Sequence, residues 1–330
     1  MRIAHTLCLA VASALAVSAA PAVANDTPRG DVKLTQSAGD VRVDVGGKPF
    51  TVYHFEGSDT DPLVRPFFFP VLAPDGTELT SDQQTAPPVN GKKPDHPHHR
   101  SVYVSHGDVN GADHWSFEQK PNARQRHVKF DRLEGDTLVE QLEWEGKGGT
   151  APILRERRTV RFFALADGTR GMDVTSAFTP TGGSVTFGDT KEAGIAAVRV
   201  AKEISDKPTL TNAAGGKGEK AVWGKPAEWC DLSGRIGGKP FGVAILDHPK
   251  NPRHPATWHA REYGLLASNI FGLSYFDPGK HARGSGDFTI KSGDTVTFRH
   301  RILFHPGDAT AANLDQRYKE FANEAAAAGE

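Results

Sequence analysis

The stretch that decides the fold is VRVDVGGKPFTVYHF, residues 41–55. Val41, Val43 and Val45 alternate with polar residues, a period of two that is typical of a strand with one buried face. Gly46 and Gly47 come next, and because glycine tolerates positive φ angles they favour a tight hairpin turn. Residues 51–55 are therefore predicted to return as the second strand of a β-hairpin.

The same pattern continues through most of the chain. Short runs rich in Val, Phe, Thr and Ile recur over residues 31–305, separated by Gly, Asp, Asn and Pro. A spacing of about 8–12 residues between such runs is typical of all-β sandwiches. Residues 160–165 are predicted to pair with 172–178 across an Asp-Gly turn. The sequence thus predicts an all-β protein, a large antiparallel β-sandwich.

One segment, 309–325, has the periodicity of a helix. Leu314, Tyr318 and Phe321 follow one another at intervals that form a single apolar stripe, so a short C-terminal helix is predicted to dock on the outside of the sandwich. No run of Pro, Ser or charge divides the remaining sequence, and residues 25–330 are predicted to form one domain.

The N-terminus has the features of an export signal. Arg2 precedes an apolar, Ala-rich run, and the small residues at 22–24 resemble a cleavage site. Residues 1–24 are therefore predicted to be a signal peptide, and the protein is expected to be periplasmic or extracellular. Cleavage would leave Cys230 as the sole cysteine, which excludes a disulfide within the chain.

Charge and hydropathy argue against two classes of partner. The chain has 39 Lys and Arg against 40 Asp and Glu, and its basic residues form no stripe, which argues against nucleic acid as a ligand. Beyond the signal there is no apolar run near the roughly 20 residues that a membrane span requires. A carbohydrate or another small molecule is the expected partner, and the sequence leaves the oligomeric state open.

The stretch DHPHHRSVYVSHGDVNGADHW, residues 95–115, contains five histidines. In an extended segment His96 and His98 point to one side, and Arg100 and His106 are expected to continue that side. Two imidazoles at this spacing can serve a divalent metal, or the histidines can hydrogen-bond to backbone carbonyls of a loop. Both interpretations stay open.

Two further segments contain chemically versatile side chains. In FGDTKEAG, residues 187–194, Asp189 and Glu192 flank a lysine and can act as general acid and base, or can form a surface ion pair. In WHAREYG, residues 258–264, the arginine can bind a carboxylate or hydroxyl and the aromatic rings can contact a sugar. A core strand with Arg261 stacked on it is the alternative.

The candidate residues form three groups. The predicted catalytic residues are His96, His98, His99, Asp189, Glu192 and His259. The predicted substrate-binding residues are Arg100, His106, Asp108, Trp115, Lys191, Trp229, His248, Arg261, Tyr263 and Asn269. A divalent metal at His96 and His98 is the single cofactor considered.

Seven motifs together resemble the PmoA-like family of secreted bacterial proteins of unknown function. They are PFFFPVLAPDG (66–76), DHPHHR (95–100), HGDVNGADHW (106–115), FGDTKEAG (187–194), WCDLSG (229–234), DHPKNPRHPATWHAREYGLLASNIFG (247–272) and TFRHRILFHPG (297–307). The resemblance implies a secreted sandwich, similar in general shape to galactose-mutarotase-like super-sandwiches and associated with glycan degradation. The family's label of methane oxygenase implies a membrane protein, and the missing span argues against that activity.

Three functions are therefore compared. The first is an exported carbohydrate-active enzyme, a hydrolase, lyase or epimerase, with the histidines and carboxylates in one pocket. The second is a non-catalytic glycan-binding module that uses Trp115, Trp229, Trp258 and Tyr263 as sugar platforms. The third is a metal-dependent oxygenase. The first hypothesis requires that His98, Glu192 and His259 share one face of the sandwich.

Overall fold

A computed structural model describes residues 31–57, 63–88, 91–94, 96–116 and 123–324. The predicted signal peptide, 1–24, and Asp95 of the histidine-rich stretch lie outside the described residues. Within the described part, two eight-stranded antiparallel sheets pack face to face, as the sequence predicts. Strands and helices are numbered below in chain order.

The first sheet contains the predicted hairpin at one edge. Its strands, in spatial order, are β1 (Val32–Ser37), β2 (Asp40–Val45), β3 (Lys48–His54), β4 (Phe67–Val71), β5 (Val102–His106), β11 (Ala193–Arg199), β16 (Leu265–Ser268) and β15 (Trp258–Arg261).

The second sheet is made of longer strands. In spatial order they are β12 (Thr209–Asn212), β13 (Trp229–Ile236), β14 (Lys239–Asp247), β18 (Val296–Pro306), β9 (Arg170–Pro180), β8 (Thr150–Ala164), β7 (Thr137–Gly146) and β6 (Gln125–Glu134). Phe162 pairs with Met172, which confirms the predicted pairing of β8 with β9.

Smaller elements complete the described part. A two-stranded sheet joins β10 (Val185–Phe187) to β17 (Phe288–Ile290), and the helices are α1 (Lys202–Asp206), α2 (Glu219–Val222), α3 (Leu273–Phe276) and α4 (Leu314–Asn323). None of the helices in the described ranges is long and apolar enough to span a membrane.

The period-two pattern of the sequence separates the two faces of each sheet. In the first sheet, Val41, Val43 and Val45 are buried in the large core between the sheets. At about 25 cal/mol per Å² of apolar surface removed from water, burial of these branched side chains favours this register over a one-residue slip, which would turn every valine outward. The face of the first sheet that points away from this core is free to carry a site.

The C-terminal helix packs on the outer face of the second sheet, as predicted. Leu314 and Phe321 pack there with Trp229 and Leu303. The helix begins at Leu314, later than predicted, because the Asp308 carboxylate accepts hydrogen bonds from the next backbone N–H groups and forms a separate turn.

A proline lies within a central strand of the first sheet. Pro70 belongs to β4 (Phe67–Val71), which lies between β3 and β5. Pro70 is tolerated because Thr51 pairs with Val71 and Tyr53 with Phe68, so that the strand bulges at the proline and needs no N–H there.

Candidate functional site

The candidate site lies on the outward face of the first sheet. Tyr103 of β5 and Leu265 of β16 point to this side and form a small apolar cluster with Phe67 and Trp115. The alternate residues of the same strands, such as Val102 and Leu266, belong to the core between the sheets. One face of each strand therefore packs in the core between the sheets, and the other face presents aromatic and polar groups.

The loop before β5 brings three histidine rings together on this face. The His96 ring stacks on the His99 ring, with centroids 4.8 Å apart, and on the Tyr263 ring, also at 4.8 Å. His98 meets His99 edge to face at 4.6 Å. His99 is buried, whereas His96, His98 and Tyr263 are partly exposed. The predicted catalytic histidines thus share one location with Tyr263.

Trp115 connects this loop to β15. Its ring lies 5.8 Å from the His99 centroid, 5.3 Å from that of Tyr103 and 6.4 Å from that of His259. Trp115 is fully buried. Two predicted segments, 95–115 and 258–264, therefore meet around a single indole.

Arg199, at the end of β11, is a member of this site that the sequence analysis did not select. Its Nη1 donates a hydrogen bond of 3.2 Å to Nδ1 of His99, and its guanidinium lies 4.8 Å from the Tyr263 ring centroid. Because a guanidinium can only donate, Nδ1 of His99 is an acceptor and a neutral His99 has its proton on Nε2. The sequence does contain a signal for this residue, because Arg199 is a charged side chain at the end of an otherwise apolar strand.

Arg65 holds the segments in place. Its Nη1 donates to the carbonyls of His114, at 2.9 Å, and Trp115, at 2.8 Å, and its Nη2 donates to the carbonyl of His98. The side chain is buried and stacks on Tyr103 at 4.6 Å. Arg65 was also missed by the sequence analysis, because no local pattern shows that a loop arginine will be buried.

His259, on β15, is the partner of Trp115 whose pKa is shifted by burial and by nearby charges. Burial, together with the nearby charges of Lys191 and Arg261, lowers its pKa to about 4, although the Glu192 carboxylate and a hydrogen bond with the backbone of Lys191 oppose this shift. His259 is therefore neutral at pH 7. Burial, helped by the charges of its histidine neighbours and Arg199, also holds the pKa of His99 well below its usual value. The site offers neutral imidazoles.

Three buried polar atoms on this face have no hydrogen-bond partner among the residues that the structure describes: Tyr103 Oη, Trp115 Nε1 and His259 Nδ1. A buried donor or acceptor without a partner costs about 1–3 kcal/mol, and few occur in native proteins. These three lie around one aromatic cluster, where the polar groups of a bound molecule can satisfy them.

Lys191 and Glu192 form an ion pair beside His259, and both are partly exposed. Asn269 fixes this turn: its Nδ2 donates to the carbonyl of Lys191 at 2.9 Å, and its Oδ1 accepts the N–H groups of Phe271 and Gly272. Because both ends of the buried Asn269 amide are already bonded to backbone, its role is positioning rather than the predicted contact with substrate.

Arg261 and Arg100 lie at opposite ends of the cluster. Arg261 pairs with Glu219 at 3.2 Å and lies 5.7 Å from the Tyr263 ring centroid. Arg100 pairs with Asp82 at 2.5 Å and stacks on Phe67 at 4.0 Å. Both arginines, which are predicted to bind substrate, therefore border the site. Each guanidinium is already paired with a carboxylate.

His106 was expected on the same side as His98, and the structure places it on the other. β5 begins at Val102, after Ser101 with a φ of 60°, so the alternation does not continue from the loop. The His106 ring lies in the core, edge to face with Phe187 at 5.2 Å and Phe271 at 4.7 Å, and burial lowers its pKa to about 3. It packs as a neutral core residue.

Asp189 and Asp108 serve loops rather than the cluster. The Asp189 carboxylate accepts the N–H groups of Ser274 and Gly284. That of Asp108 accepts the N–H of Gly111 at 2.8 Å and closes the turn that contains Asn110 and Gly111. The predicted partnership of Asp189 with Glu192 is therefore not formed, because each carboxylate is bound to different groups.

Trp229 and His248 lie on the second sheet, beneath the C-terminal helix. Trp229 Nε1 donates to Asp315 at 3.0 Å, and the His248 ring packs edge to face on Phe321 at 5.1 Å. They were predicted to bind substrate beside His259. The helix covers them instead, on the side of the sandwich opposite to the cluster.

The proposed metal site stays a prediction. Across the described ranges, no three or more His, Cys, Asp or Glu side chains are grouped so that they could hold a metal ion. His96 and His98 have ring centroids 5.7 Å apart, and the ring of His96 is stacked between His99 and Tyr263. This stacking fits an aromatic wall of a site at least as well as a pair of ligands.

The fold and the site define a β-sandwich protein with a histidine-rich, aromatic cluster on one outward sheet face. The chain belongs to DUF6807, a family of unknown function, whose sequence profile matches residues 40–319. No curated protein matched in a sequence search.

Solved structures provide two distant similarities. The chain is similar to a GalM/aldose epimerase homologue from C. elegans, at 7% sequence identity and a TM-score of 0.30, covering 84% of this chain and 99% of that chain. It is similar to a beta-arabinopyranosidase at 10% identity and a TM-score of 0.28, covering 84% of this chain and 39% of that chain. Such loose superpositions leave the function to be argued from the site.

Proposed function

We propose that this protein is an exported carbohydrate-active enzyme whose reaction takes place at the cluster of His99, Trp115, His259 and Tyr263. The observation that carries the proposal is the set of buried polar atoms without partners beside these rings. Sugars combine apolar C–H faces, which pack on aromatic rings, with hydroxyl groups that satisfy donors and acceptors. A cluster with both features matches that chemistry.

The residues have complementary roles in this proposal. Neutral His259, whose buried Nδ1 has no partner among the described residues, is the general base: it is unprotonated at neutral pH, and the Glu192 carboxylate offsets part of the basicity that burial removes. His99, held by Arg199, presents its Nε2 proton as a donor to substrate. Glu192, whose charge acts on His259, stabilises the imidazolium that forms when the base takes a proton.

The set of groups favours a lyase or an epimerase over a hydrolase. Glycoside hydrolysis generally requires two carboxyl groups that flank the scissile bond. Among the described residues Glu192 contributes a carboxylate next to His259, and Asp189 is bound to the backbone of another loop. Proton abstraction by a neutral imidazole needs no second carboxylate, and the guanidinium of Arg199 or Arg261 can stabilise the anion that develops.

A non-catalytic glycan-binding module is the second candidate. It was expected to use four aromatic platforms, but Trp258 is buried in the core and Trp229 lies under the C-terminal helix. Trp115 is fully buried, and Tyr263 is stacked on His96 and Arg199. The described residues therefore do not form the broad aromatic platform that this module was expected to use. The resemblance to PmoA-like proteins stays a prediction, and methane oxidation is not proposed.

The test is turnover by the purified mature protein on a panel of oligosaccharides, uronic-acid sugars and oxidised sugars, followed by mass spectrometry and NMR. We expect an isomerised or unsaturated product, formed equally with and without a chelator. Binding of sugars without any product would replace the enzyme with the binding module. Loss of turnover with the chelator would bring the metal hypothesis of His96 and His98 back.

A further inference from the structure

Two cavities lie at the two sides of the cluster, one beside β3 and β4 and the other at the edge strand β15, next to α2. One, of about 370 Å³, lies at the side of β3 and β4, and its lining includes His54, Phe67, Asp82 and Arg100. The other, of about 580 Å³, lies beyond β15, and its lining includes Lys217, Lys220, Trp223 and Arg261. Each cavity shares an arginine with the border of the cluster described above.

Contacts connect each cavity to the cluster. In the first cavity, Phe67 belongs to the same apolar cluster as Tyr103 and Trp115, and its ring stacks on His54 at 4.8 Å. In the second, the guanidinium of Arg261 lies 5.7 Å from the ring centroid of Tyr263. Cavity, aromatic cluster and cavity therefore follow one another across the strands.

The distance covered exceeds the size of one sugar ring. The strands from β3 to β15 are separated by five intervals in the order of the sheet. At the usual spacing of about 4.8 Å between strands, they span about 24 Å. We propose that the cluster and its two flanking cavities form one extended binding site for an oligosaccharide that lies across the strands. This inference rests on the proposed function and names the substrate class.

Charge distinguishes the two ends. The cavity beyond β15 has three cations, of which Lys217 and Lys220 are exposed. Its acids, Glu219 and Glu262, are engaged: each carboxylate accepts the backbone N–H of the other residue, and Glu219 also pairs with Arg261. The three cations exceed the two acids by one, and this net positive charge suits a sugar unit with a carboxylate or sulfate group.

An indole in the same cavity adds a second contact for a sugar. Nε1 of Trp223 is buried and has no partner among the described residues, and its ring packs edge to face on Phe276 at 5.0 Å. The combination of an aromatic ring, a free N–H donor and two lysines matches an acidic sugar unit. At the other end Arg100 pairs with Asp82, at 2.5 Å, and the lining also includes Asp40 and Glu56. This excess of carboxylates repels an acidic unit, so a neutral unit fits there.

The experiment measures the dissociation constants of uronic-acid oligosaccharides and of neutral oligosaccharides, each in a series from one to six units. We expect the affinity for acidic chains to rise with length by at least about tenfold. Binding of single sugars with no gain for longer chains overturns the extended site and leaves the proposed function standing. If no sugar of any length binds, both are overturned.

Variants locate the two ends. The double substitution Lys217→Ala, Lys220→Ala should weaken binding of acidic chains at least about fivefold and leave neutral chains unchanged, with Lys291→Ala as the matched exposed control. Thr85→Trp, which fills the first cavity from an exposed position, should abolish the gain from length and leave single sugars unaffected. Thr35→Trp on exposed β1 is its control. Equal affinities in variants and controls would contradict the proposal.

Discussion

Arg199 Nη1 donates a hydrogen bond of 3.2 Å to Nδ1 of His99, and this bond links the end of β11 to the histidine loop. It sets the tautomer of a buried imidazole whose pKa is held low by burial. Substitution of Arg199 by Met keeps much of the volume and removes the donor. We expect turnover to fall by about 10²-fold, because His99 would no longer be oriented toward substrate.

Two further measurements distinguish a role of Arg199 in orienting His99 from a role in stability alone. The melting temperature of Arg199→Met should change by a few degrees at most, and Arg199→Lys, which retains a donor, should recover part of kcat. If the Lys and Met variants lose activity equally while both stay folded, the guanidinium would have to bind substrate directly rather than orient His99.

The pH dependence of kcat/KM should show the ionisation of His259. Because its pKa is about 4 and the neutral form is the base, kcat/KM should stay level from neutral pH downward and fall only near pH 4, well below the 6.5 of a free imidazole. The Glu192 charge raises this pKa, so Glu192→Gln should move the acid limb to still lower pH. Glu203→Gln, on α1, is the control. An acid limb near pH 6.5 would exclude His259 as the base.

Acid should destabilise the fold through buried histidines. Burial lowers the pKa of both His106 and His114 to about 3, below the value near 6.5 expected in the unfolded chain. Stability from such groups is complete above pH 6.5 and is lost as pH falls toward 3, because the unfolded chain takes up the protons. At pH 5 each costs on the order of 2 kcal/mol.

Substitution of His114 tests this linkage. His114→Leu keeps an apolar side chain against Trp144 and removes the titrating group, so its free energy of unfolding should decline less between pH 7.5 and 5 than that of the wild type. Urea titrations at both pH values measure the difference. His281→Leu, at a partly exposed position, should decline like the wild type. Parallel curves for all three proteins would contradict the linkage.

A charged network lies in the core between the sheets. The guanidinium of Arg158 donates to both oxygens of Glu156, each at 2.8 Å, and to the hydroxyl of Tyr53 at 3.1 Å. All three residues are buried. Arg158→Met should lower the free energy of unfolding by about 3–5 kcal/mol, since it leaves Glu156 charged and unpaired. The double substitution of Arg158→Met with Glu156→Gln should regain part of that loss, and no recovery would argue against an electrostatic cause.

The C-terminal helix is held by a hydrogen bond between Trp229 and Asp315 as well as by apolar packing. Asp315 accepts from Trp229 Nε1 at 3.0 Å and lies in the first turn of α4, where a carboxylate favours the helix. Asp315→Ala should cost about 1 kcal/mol in urea unfolding. Glu320→Ala, on the exposed side of the same helix, should cost clearly less. Equal losses would show that the bond contributes nothing specific.

The sequence predicts the architecture well because its signals are local. Alternating valines at 41–45 and the Gly-Gly turn specify a hairpin, and the apolar stripe of 314–321 specifies a docked helix. The candidate site depends on contacts between distant segments. His99 meets Arg199 a hundred positions later in the chain, and Arg65 binds the carbonyls of His114 and Trp115, which no local pattern reveals.

The same limit explains which candidates fell outside the site. His106 differs from Tyr103 by an odd number of positions in one strand, so it faces the core, but the start of that strand depends on the backbone turn at Ser101. The sequence predicts Trp229 as a sugar platform, but the C-terminal helix covers it in the structure. Composition indicates which residues can do chemistry, and tertiary packing decides which of them are brought together.

The central claim is that one site, built around His259 on the outward face of the first sheet, acts on a sugar. The most direct measurement compares turnover of the best oligosaccharide by wild type, His259→Gln and His248→Gln, with melting temperatures measured in parallel. Both histidines are buried, but His248 lies beneath the helix on the second sheet. The account predicts a loss of at least about 10²-fold for His259→Gln and activity near wild type for His248→Gln. Equal activity in the two folded variants would contradict it.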